Sequence, residues 1–327
     1  MNGTIRYILA TLLVFASASA LSQAYPIKPV RVIISYPPGG VDVVTRQIMP
    51  TIEKELGQPW VIEYRSGAGG VIGHEYTARQ PADGYTLAVT LGNSVTVAPG
   101  VRKHTPYNPL TDFTYISQGI EPLGLIVAHP SVPVNSLAEL VDYAKKNPGK
   151  LTWATSGIGS SWHINGELAK LRGGFDVLHA PYQGFGQMIP ALLGNQVPLM
   201  MITWSVVRPM IQAGKMKVVG ITSTEPKLKA IAPPGAQAFD DILPGYQAIP
   251  DWVGLAGPAG LPEPIVRRIR DAYVKGFQQP EIVKKMDEDK QLIVLSTPAD
   301  IILPTDDLFG YIAVIVAGAV AISRLRY

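Results

Sequence analysis

Short apolar runs alternate with amphipathic segments along most of the chain. The runs 30–35, Trp60–Tyr64 and 86–90 are almost continuously apolar, as expected for parallel strands that are covered on both faces. The segment 43–56 instead places apolar residues four positions apart, which predicts a helix with one buried face. Pro50 lies inside that helix, and because an interior proline removes a backbone hydrogen bond, it predicts a kink or a break.

The same alternation continues to about residue 295. Ser136 and Glu139 form a predicted capping box, which starts a helix that ends near Asn147. Further strands are predicted at 123–129, 150–155, 175–181, 197–202, 216–223, 252–257 and 292–295. Alternating strands and helices predict an α/β fold with open, parallel-type sheets, in which ligands bind at the carboxyl ends of the strands.

Four glycine-rich loops join predicted strands to predicted helices. They cover residues 36–42, 65–73, 155–161 and 181–186. The first amides of a helix have no partner within the helix, and together with the helix dipole they attract anions. None of the loops contains a lysine, and only the second is flanked by an arginine, Arg65. The pattern therefore predicts that a small anion is held mainly by backbone groups.

Composition narrows the class of protein. The 327 residues are 47% hydrophobic and 16% charged, which is typical of a globular protein of about two domains and excludes a disordered one. The net charge of +3 is too small to indicate nucleic acid as a partner. There is no cysteine, which excludes disulfides, thiolate metal sites and a cysteine nucleophile.

The two ends of the chain differ from the rest. Residues 1–24 are predicted to be a cleavable export signal, with Arg6 before an apolar core at 7–15 and cleavage after Ala20 or, preferably, Ala24. Near the other end, 308–322 is apolar and free of charge. A buried C-terminal helix, a membrane tail and an aberrant end of the reading frame are all compatible with this segment.

Enzyme and nucleotide motifs are missing. In the second loop, Ile72 stands where a dinucleotide fingerprint needs its third glycine, and no loop ends in Gly-Lys-Ser/Thr. There is no Gly-x-Ser-x-Gly elbow, and His74-Glu75 is not followed by a second histidine at the zinc-protease spacing. We therefore expect no catalytic residue, no cofactor and no metal.

Several segments, in this order and spacing, resemble one family. They read AYPIKPVRVIISYPPGG, VIEYRSGAGGVIGHEYTARQPADGYTLAV, NSLAELVDYAKKNPGKLTWATSGIGSSWHI, APYQG and IQAGKMKVVGITS. The chain resembles the extracytoplasmic solute receptors of tripartite tricarboxylate transporters, the Bug family. The resemblance implies a two-lobed, type II periplasmic-binding-protein (Venus flytrap) fold with a cleft between the lobes. Lobe 1 would comprise 25–127 and 250–300, lobe 2 would comprise 128–249, and 301–327 would form an atypical tail.

The resemblance also implies which residues bind the ligand. Those expected from lobe 1 are Tyr36, Pro38, Gly39, Gly40, Ser66, Ala68, Gly69 and Gly70. Ser94 is also expected, although it matches the family's binding positions less clearly. Those expected from lobe 2 are Thr155, Ser156, Gly157, Ser160, His163, Tyr182, Gln183 and Gly184. His163 either touches the ligand or supports its loop. Asp42 either caps the first helix or positions the loop or meets a ligand amino group.

The sequence departs from the family pattern in three places that affect these expected binding residues. Only Val41 separates the glycine pair from Asp42, where the family usually has two residues, so the first loop is expected to present its amides differently. Ile202-Thr203 replaces a more polar pair after a lobe-2 strand. The sequence after Asp300 does not match the amphipathic helix with which the family usually ends.

The functional hypothesis is a periplasmic, monomeric receptor that captures a small carboxylate and delivers it to the membrane permease subunits of a tripartite transporter. A ligand-dependent partner of a membrane sensor is the alternative, because the same closed state would serve both roles. An enzyme on the same fold is a weaker alternative, since no nucleophile, base or metal cluster is found. The identity of the carboxylate stays open at this stage.

Overall fold

The computed structural model of the protein describes residues 25–101 and 104–301. The predicted export signal, 1–24, and the predicted tail beyond Ile301 lie outside the described residues. Within the described part of the chain, no helix combines the length and the apolar character needed to cross a lipid bilayer.

Each lobe contains one open sheet. The first sheet has the order β11-β4-β10-β3-β1-β2. Its strands are β1 (Val30–Ile34), β2 (Trp60–Tyr64), β3 (Thr86–Leu91), β4 (Phe113–Pro122), β10 (Val253–Pro258) and β11 (Gln291–Ile293). The second sheet has the order β7-β6-β8-β5-β9. Its strands are β5 (Gly124–Ala128), β6 (Thr152–Thr155), β7 (Leu178–Pro181), β8 (Leu199–Thr203) and β9 (Lys217–Ile221).

Helices and short turns cover the sheets. They are α1 (Val41–Leu56), α2 (Val71–Ala78), α3 (Ala98–Val101), α4 (Leu137–Lys146), α5 (Ser161–Gly173), α6 (Phe185–Leu193), α7 (Trp204–Gln212), α8 (Pro226–Ala230), α9 (Phe239–Ile242), α10 (Glu263–Phe277) and α11 (Pro280–Glu288). The predicted α/β, two-lobed fold is confirmed.

The sheets are mixed rather than parallel, which corrects the expectation from the apolar runs. β1 pairs parallel with β2 and β3, but β10 lies antiparallel between β3 and β4. In the second sheet, β6 pairs parallel with β7 and β8, whereas β5 is antiparallel to β8 and β9. β11 is also antiparallel to its neighbour β4. β5 and β10 each directly follow a crossing of the chain from one lobe to the other, so they enter their sheets from the opposite end.

The crossings define the lobes. β5 pairs within the second sheet, although the boundary predicted from the sequence places it in lobe 1. The first crossing therefore lies at Leu123, between β4 and β5, and the second lies at about residues 249–252, before β10. Two nearby contacts also join the lobes: Trp204 Nε1 donates to Glu288 O at 3.2 Å, and Arg208 pairs with Asp289 at 3.3 Å.

The strand β4 was missed by the sequence analysis, although it is the longest strand in the first sheet. Its centre carries Ser117 and Gln118, which break the apolar run, yet both are buried. Their polar groups are satisfied within the fold, because Ser117 Oγ donates to Ser296 O at 2.9 Å and Gln118 N donates to Ser296 Oγ at 3.0 Å. A buried polar group needs such a partner, and this one is 178 residues away in the chain.

The predicted helix start at Ser136 is confirmed, with one difference. Ser136 Oγ accepts from Glu139 N at 3.2 Å, so Ser136 is the N-cap of α4. The carboxylate of Glu139 accepts from Asn135 N at 2.7 Å rather than from the N-cap amide. In a capping box Glu139 would accept from the backbone N of the N-cap residue, Ser136, but here it accepts from the backbone N of the preceding residue.

The helix α1 is continuous through Pro50, so of the kink or break predicted there the break is wrong, and the kink stays a prediction. Its predicted apolar face is confirmed, because Val44, Ile48, Ile52 and Leu56 are all buried. Pro50 itself is exposed, so water can reach the backbone carbonyl that lost its partner. Packing of the apolar face therefore outweighs the local cost of the proline, which is about 3 kcal/mol.

We expect the variant Pro50→Ala to be more stable than the wild type by about 1–2 kcal/mol, because the restored hydrogen bond outweighs the added freedom of the unfolded chain. Chemical denaturation of the mature protein measures this. Pro280→Ala is the matched control, since Pro280 is the first residue of α11, where a proline costs no hydrogen bond. Equal effects of the two substitutions would contradict this account of α1.

Candidate functional site

A cavity of about 470 Å³ lies between the two lobes and draws its lining from both sheets. This volume is in the range of sites for small molecules. The lining residues from lobe 1 include the first glycine loop, Tyr36 to Val41, together with Asn93 and Asp251. Those from lobe 2 include Ser156, Ser160–Trp162, Gln183–Gln187, Thr203, Ser205 and Val206. The cleft expected from the fold is thus a defined cavity.

Four helices begin at this cavity. Their N-cap residues are Gly40 for α1, Ser160 for α5, Gly184 for α6 and Thr203 for α7. Each N-cap lines the cavity. Since a helix start carries unpaired N–H groups and a partial positive charge, these four ends together make the cavity favourable for an anion. The starts of α1, α5 and α6 were predicted from glycine loops in the sequence, whereas that of α7 was not.

The side chains that line the cavity carry almost no charge. Among the described residues, no lysine, arginine or histidine lines it, and Asp251 is its only acidic residue. Its walls include Val44, Leu91, Trp162 and Phe185. Trp204, which is close in the sequence to the lining residues Thr203 and Ser205, lies outside the lining. Positive potential in the cavity therefore comes from backbone groups.

The first glycine loop holds a carboxylate of its own chain. Asp42 Oδ1 accepts from Gly39 N at 2.8 Å and from Gly40 N at 3.0 Å, and Asp42 Oδ2 accepts from the Tyr64 hydroxyl at 2.9 Å. Burial would raise the pKa of Asp42, but these hydrogen bonds and the nearby charge of Arg46 lower it below its ordinary value. Asp42 thus positions the loop as an ionised carboxylate.

These hydrogen bonds differ from what the family resemblance implies for the first glycine loop. The amides of Gly39 and Gly40 were expected to meet the ligand, but both donate to Asp42. The cause is the short spacing, because Asp42 is the second residue of α1 and its side chain folds back onto the glycine pair. Tyr36, Pro38, Gly39 and Gly40 still line the cavity, whereas Asp42 does not.

The second glycine loop supports the cavity from behind. Ser66, Ala68, Gly69, Gly70 and Ser94 do not line it. Instead, Gly69 O accepts from the Tyr36 hydroxyl at 2.9 Å and from Asn93 Nδ2 at 3.2 Å. Gly70 has a φ of +94°, and a Cβ there would lie 2.3 Å from Ser94 Oγ, so only glycine fits. The loop therefore fixes Tyr36, which does line the cavity.

The third loop is held by a pair of stacked histidines. The rings of His163 and His179 stack with centroids 4.1 Å apart. His163 Nδ1 accepts from Gly159 N at 3.1 Å, and His179 Nε2 lies 2.6 Å from Thr155 Oγ1. His163 and Thr155 do not line the cavity, and neither does Gly157, while Ser156 and Ser160 do. Of the two roles open for His163, the contacts favour support of the loop.

Both rings are neutral near pH 7. Burial, with a smaller contribution from the charge of Lys170, lowers the pKa of His163 from 6.5 to about 4. Burial, followed by the charge of His163 and then that of Lys170, lowers the pKa of His179 to about 3. With Nδ1 of His163 accepting a hydrogen bond, the single proton of that ring is on Nε2.

The fourth loop contributes a helix start and a supporting strand end. Gly184 has a φ of +134° and precedes α6, and Gly184 and Gln183 line the cavity. Tyr182 does not line it, and its backbone N donates to Thr155 O at 3.0 Å. The loop thus connects β7 to α6, is hydrogen-bonded to the end of β6, and directs the start of α6 into the cavity.

Several lining residues were not found from the sequence. Thr203, Ser205 and Gln291 lie at ends of strands or helices with no glycine signal, and Asp251 lies just before the strand predicted at 252–257. An acidic residue just before a buried strand was the available signal for Asp251. Ile249, two residues before Asp251, is buried. Its backbone N donates to Asn165 Oδ1 at 2.8 Å, and its backbone O accepts from Asn165 Nδ2 at 3.0 Å. The chain just before Asp251 is therefore part of the core.

Comparison with known proteins gives a consistent match. A model of the tripartite tricarboxylate transporter family receptor matches residues 44–297. The chain is 31% identical to the protein BugT of Bordetella pertussis over 300 residues, which covers 91% of this chain and 89% of BugT.

Solved structures agree in fold. The structure of Rpa4515 of R. palustris with adipate has a TM-score of 0.77 and 25% identity, and it covers 92% of this chain and 97% of that one. The structure of MatC from Rhodopseudomonas palustris with bound malate has a TM-score of 0.73 and 26% identity, and it covers 91% of this chain and 98% of that one.

Acidification is expected to weaken the fold through the histidine pair. Because the pKa of His163 is lower in the folded protein than in the unfolded chain, its contribution to stability is complete above about pH 6.5 and is lost as the pH falls towards 4. We expect the free energy of unfolding of His163→Asn to fall less over this range than that of the wild type, by about 1–3 kcal/mol. Urea denaturation at several pH values measures this, and parallel curves for the two proteins would contradict it.

Proposed function

This chain belongs to the tripartite tricarboxylate transporter receptor family, the Bug family of solute-binding proteins, and from that premise we propose that it is a periplasmic receptor for a small carboxylate. It captures the carboxylate in the cavity between its lobes, mainly through backbone amides. It then delivers the ligand to the permease subunits of a tripartite transporter. It acts as a monomer exported by the predicted signal at 1–24.

The observation that carries this proposal is the convergence of four helix starts on one cavity, which no cationic side chain of residues 25–101 and 104–301 lines. A site for a neutral solute would have no need of four positive helix ends. A site for phosphate groups of a nucleotide usually adds a lysine or arginine, and among the described residues the lining has neither. A carboxylate is among the small anions that backbone N–H groups at helix starts bind without a cationic side chain.

The energies are sufficient for a useful affinity. A helix start stabilises a nearby anion by about 0.3–1 kcal/mol, and a charge-assisted hydrogen bond adds about 1.5–3 kcal/mol. Two or three such bonds, together with burial of the ligand against Trp162 and Phe185, reach the roughly 8 kcal/mol that corresponds to a micromolar dissociation constant. Backbone donors recognise the carboxylate, and the walls then select the rest of the molecule.

Lobe 2 supplies most of the donors in this proposal. Asp42 already accepts from the glycine pair of the first loop, so the ligand carboxylate is bound by helix starts of lobe 2. Lobe 1 contributes Tyr36 and the wall opposite. The relatives with adipate and malate support this ligand class, since both compounds are dicarboxylates.

Closure of the lobes links binding to delivery. The chain crosses between the lobes at Leu123 and at residues 249–252, so a hinge motion there changes the width of the cavity. A ligand that contacts both lobes stabilises the closed form by its difference in affinity for the two states. The permease subunits then recognise the closed form.

A thermal-shift screen of the purified mature protein against carboxylates of three to eight carbons tests the function. We expect at least one acid to raise the melting temperature, while its methyl ester, which lacks the charge, has no effect. Isothermal titration then gives the affinity of that acid. If no carboxylate raises the melting temperature while neutral sugars do, the proposal is wrong.

The variant Gly186→Pro tests the role of backbone donors. Gly186 is the second residue of α6 and lines the cavity, and a Cβ there meets no atom within 4 Å. Proline removes one N–H at a position in the first turn where it is tolerated. We expect about a tenfold loss of affinity, the value of one charge-assisted hydrogen bond. Gly186→Ala keeps the N–H and is the matched control, and equal affinities of the two variants would contradict the mechanism.

A further inference from the structure

We propose that Asp251 selects ligands that carry a protonated amine as well as a carboxylate, so that the cavity prefers zwitterionic amino acids or amino carboxylates to dicarboxylates. The inference rests on the proposed function, because it concerns the same cavity and the same ligand carboxylate. It adds a second recognition point of opposite charge.

The position of Asp251 fits such a role. Asp251 lies at the second crossing between the lobes, directly before β10, and it lines the cavity. Its carboxylate accepts hydrogen bonds from the Ser161 side chain of lobe 2 and from the backbone N of Trp252. Those two bonds orient the group but bring no positive charge to it.

The charge of Asp251 is not compensated by the chain. Burial raises the pKa of Asp251 to about 6, the hydrogen bond from Ser161 opposes this rise, and the negative charge of Glu121 adds to it. Among the described residues, no cationic side chain lines the cavity. Asp251 is half-buried, so its unpaired charge is only partly solvated. An ammonium group is the partner that offsets this cost.

The carboxylate of such a ligand has a binding position at two helix starts away from Asp251. Of the four helix starts, α1 is occupied by Asp42, and α5 has Asp251 hydrogen-bonded to its first residue, Ser161. The starts of α6 and α7, at Gly184 and Thr203, have no acidic side chain among their lining residues. The ligand carboxylate therefore binds at α6 and α7, and the cavity has a positive region there and a negative group at Asp251.

A dicarboxylate fits this distribution less well. Its second carboxylate would add a negative charge to a cavity in which Asp251 is the only charged lining residue of the described chain, and like charges in a site of low dielectric repel each other. A zwitterion adds no net charge and pairs both of its ends. The negative charge of Asp251 therefore distinguishes zwitterions from dicarboxylates, which backbone amides alone cannot do.

Matched series of ligands test the inference. Adipate, 6-aminohexanoate and hexanoate have the same number of carbons and differ in the group at one end, and succinate, 4-aminobutanoate and butanoate form a shorter series. Malate, aspartate and glutamate extend the test to amines beside the carboxylate. Isothermal titration at pH 7.5, where Asp251 is ionised, measures each affinity. We expect at least one amine-bearing acid to bind about tenfold or more tightly than its dicarboxylate counterpart.

The variant Asp251→Asn keeps the shape of the side chain and removes its charge. We expect it to lose about tenfold or more of its affinity for the amine-bearing ligand while binding the dicarboxylate as well as or better than the wild type. Asp251→Ser is a second variant in case the amide disturbs folding. Asp271→Asn is the matched control, because Asp271 is an exposed carboxylate on α10 of lobe 1 outside the cavity.

The outcomes separate the two proposals. If dicarboxylates bind as tightly as their amine-bearing counterparts, or if Asp251→Asn leaves the ratio of affinities unchanged, the role of Asp251 is overturned while the carboxylate receptor stands. If no member of any series binds, the proposed function fails and the inference fails with it.

Discussion

The structure depends on backbone amides at the starts of helices that face one shared cavity. Such amides cannot be satisfied within their own helices, so each helix start needs a partner from elsewhere. Four of them, those of α1, α5, α6 and α7, open onto the cavity between the lobes. Among the described residues no cationic side chain lines this cavity, so its positive environment comes from the helix starts, and this is the basis of the proposed capture of a carboxylate.

Internal carboxylates modify this environment. Asp42 satisfies the amides of the first glycine loop and keeps that loop in one conformation. Asp251 hydrogen-bonds to the first residue of α5. Because each of them occupies a helix start, the number of donors left for a ligand is smaller than the number of glycine loops suggests. In the proposed function, these two residues leave the starts of α6 and α7 as the places for a negative ligand group.

A layer of contacts behind the cavity holds its lining in place. The Tyr36 hydroxyl and Asn93 both bond to Gly69 O, so the second loop supports the first. His163 and His179 hold the third loop through Gly159 and Thr155. Residues that the resemblance placed on the ligand therefore include several that act through others. Their substitution would change the shape of the cavity without removing a direct contact.

The sequence by itself determined the alternation of strands and helices, the buried face of α1, the cap at Ser136 and three of the four helix starts, because these depend on local spacing and on turn residues. It did not determine β4, whose buried Ser117 and Gln118 are satisfied by Ser296 far along the chain. Nor did it determine the antiparallel entry of β5 and β10, the use of the first-loop amides by Asp42 or the place of Asp251 in the cavity. These follow from the two crossings and from packing between distant segments, and no local pattern of residues encodes which distant group will lie opposite another.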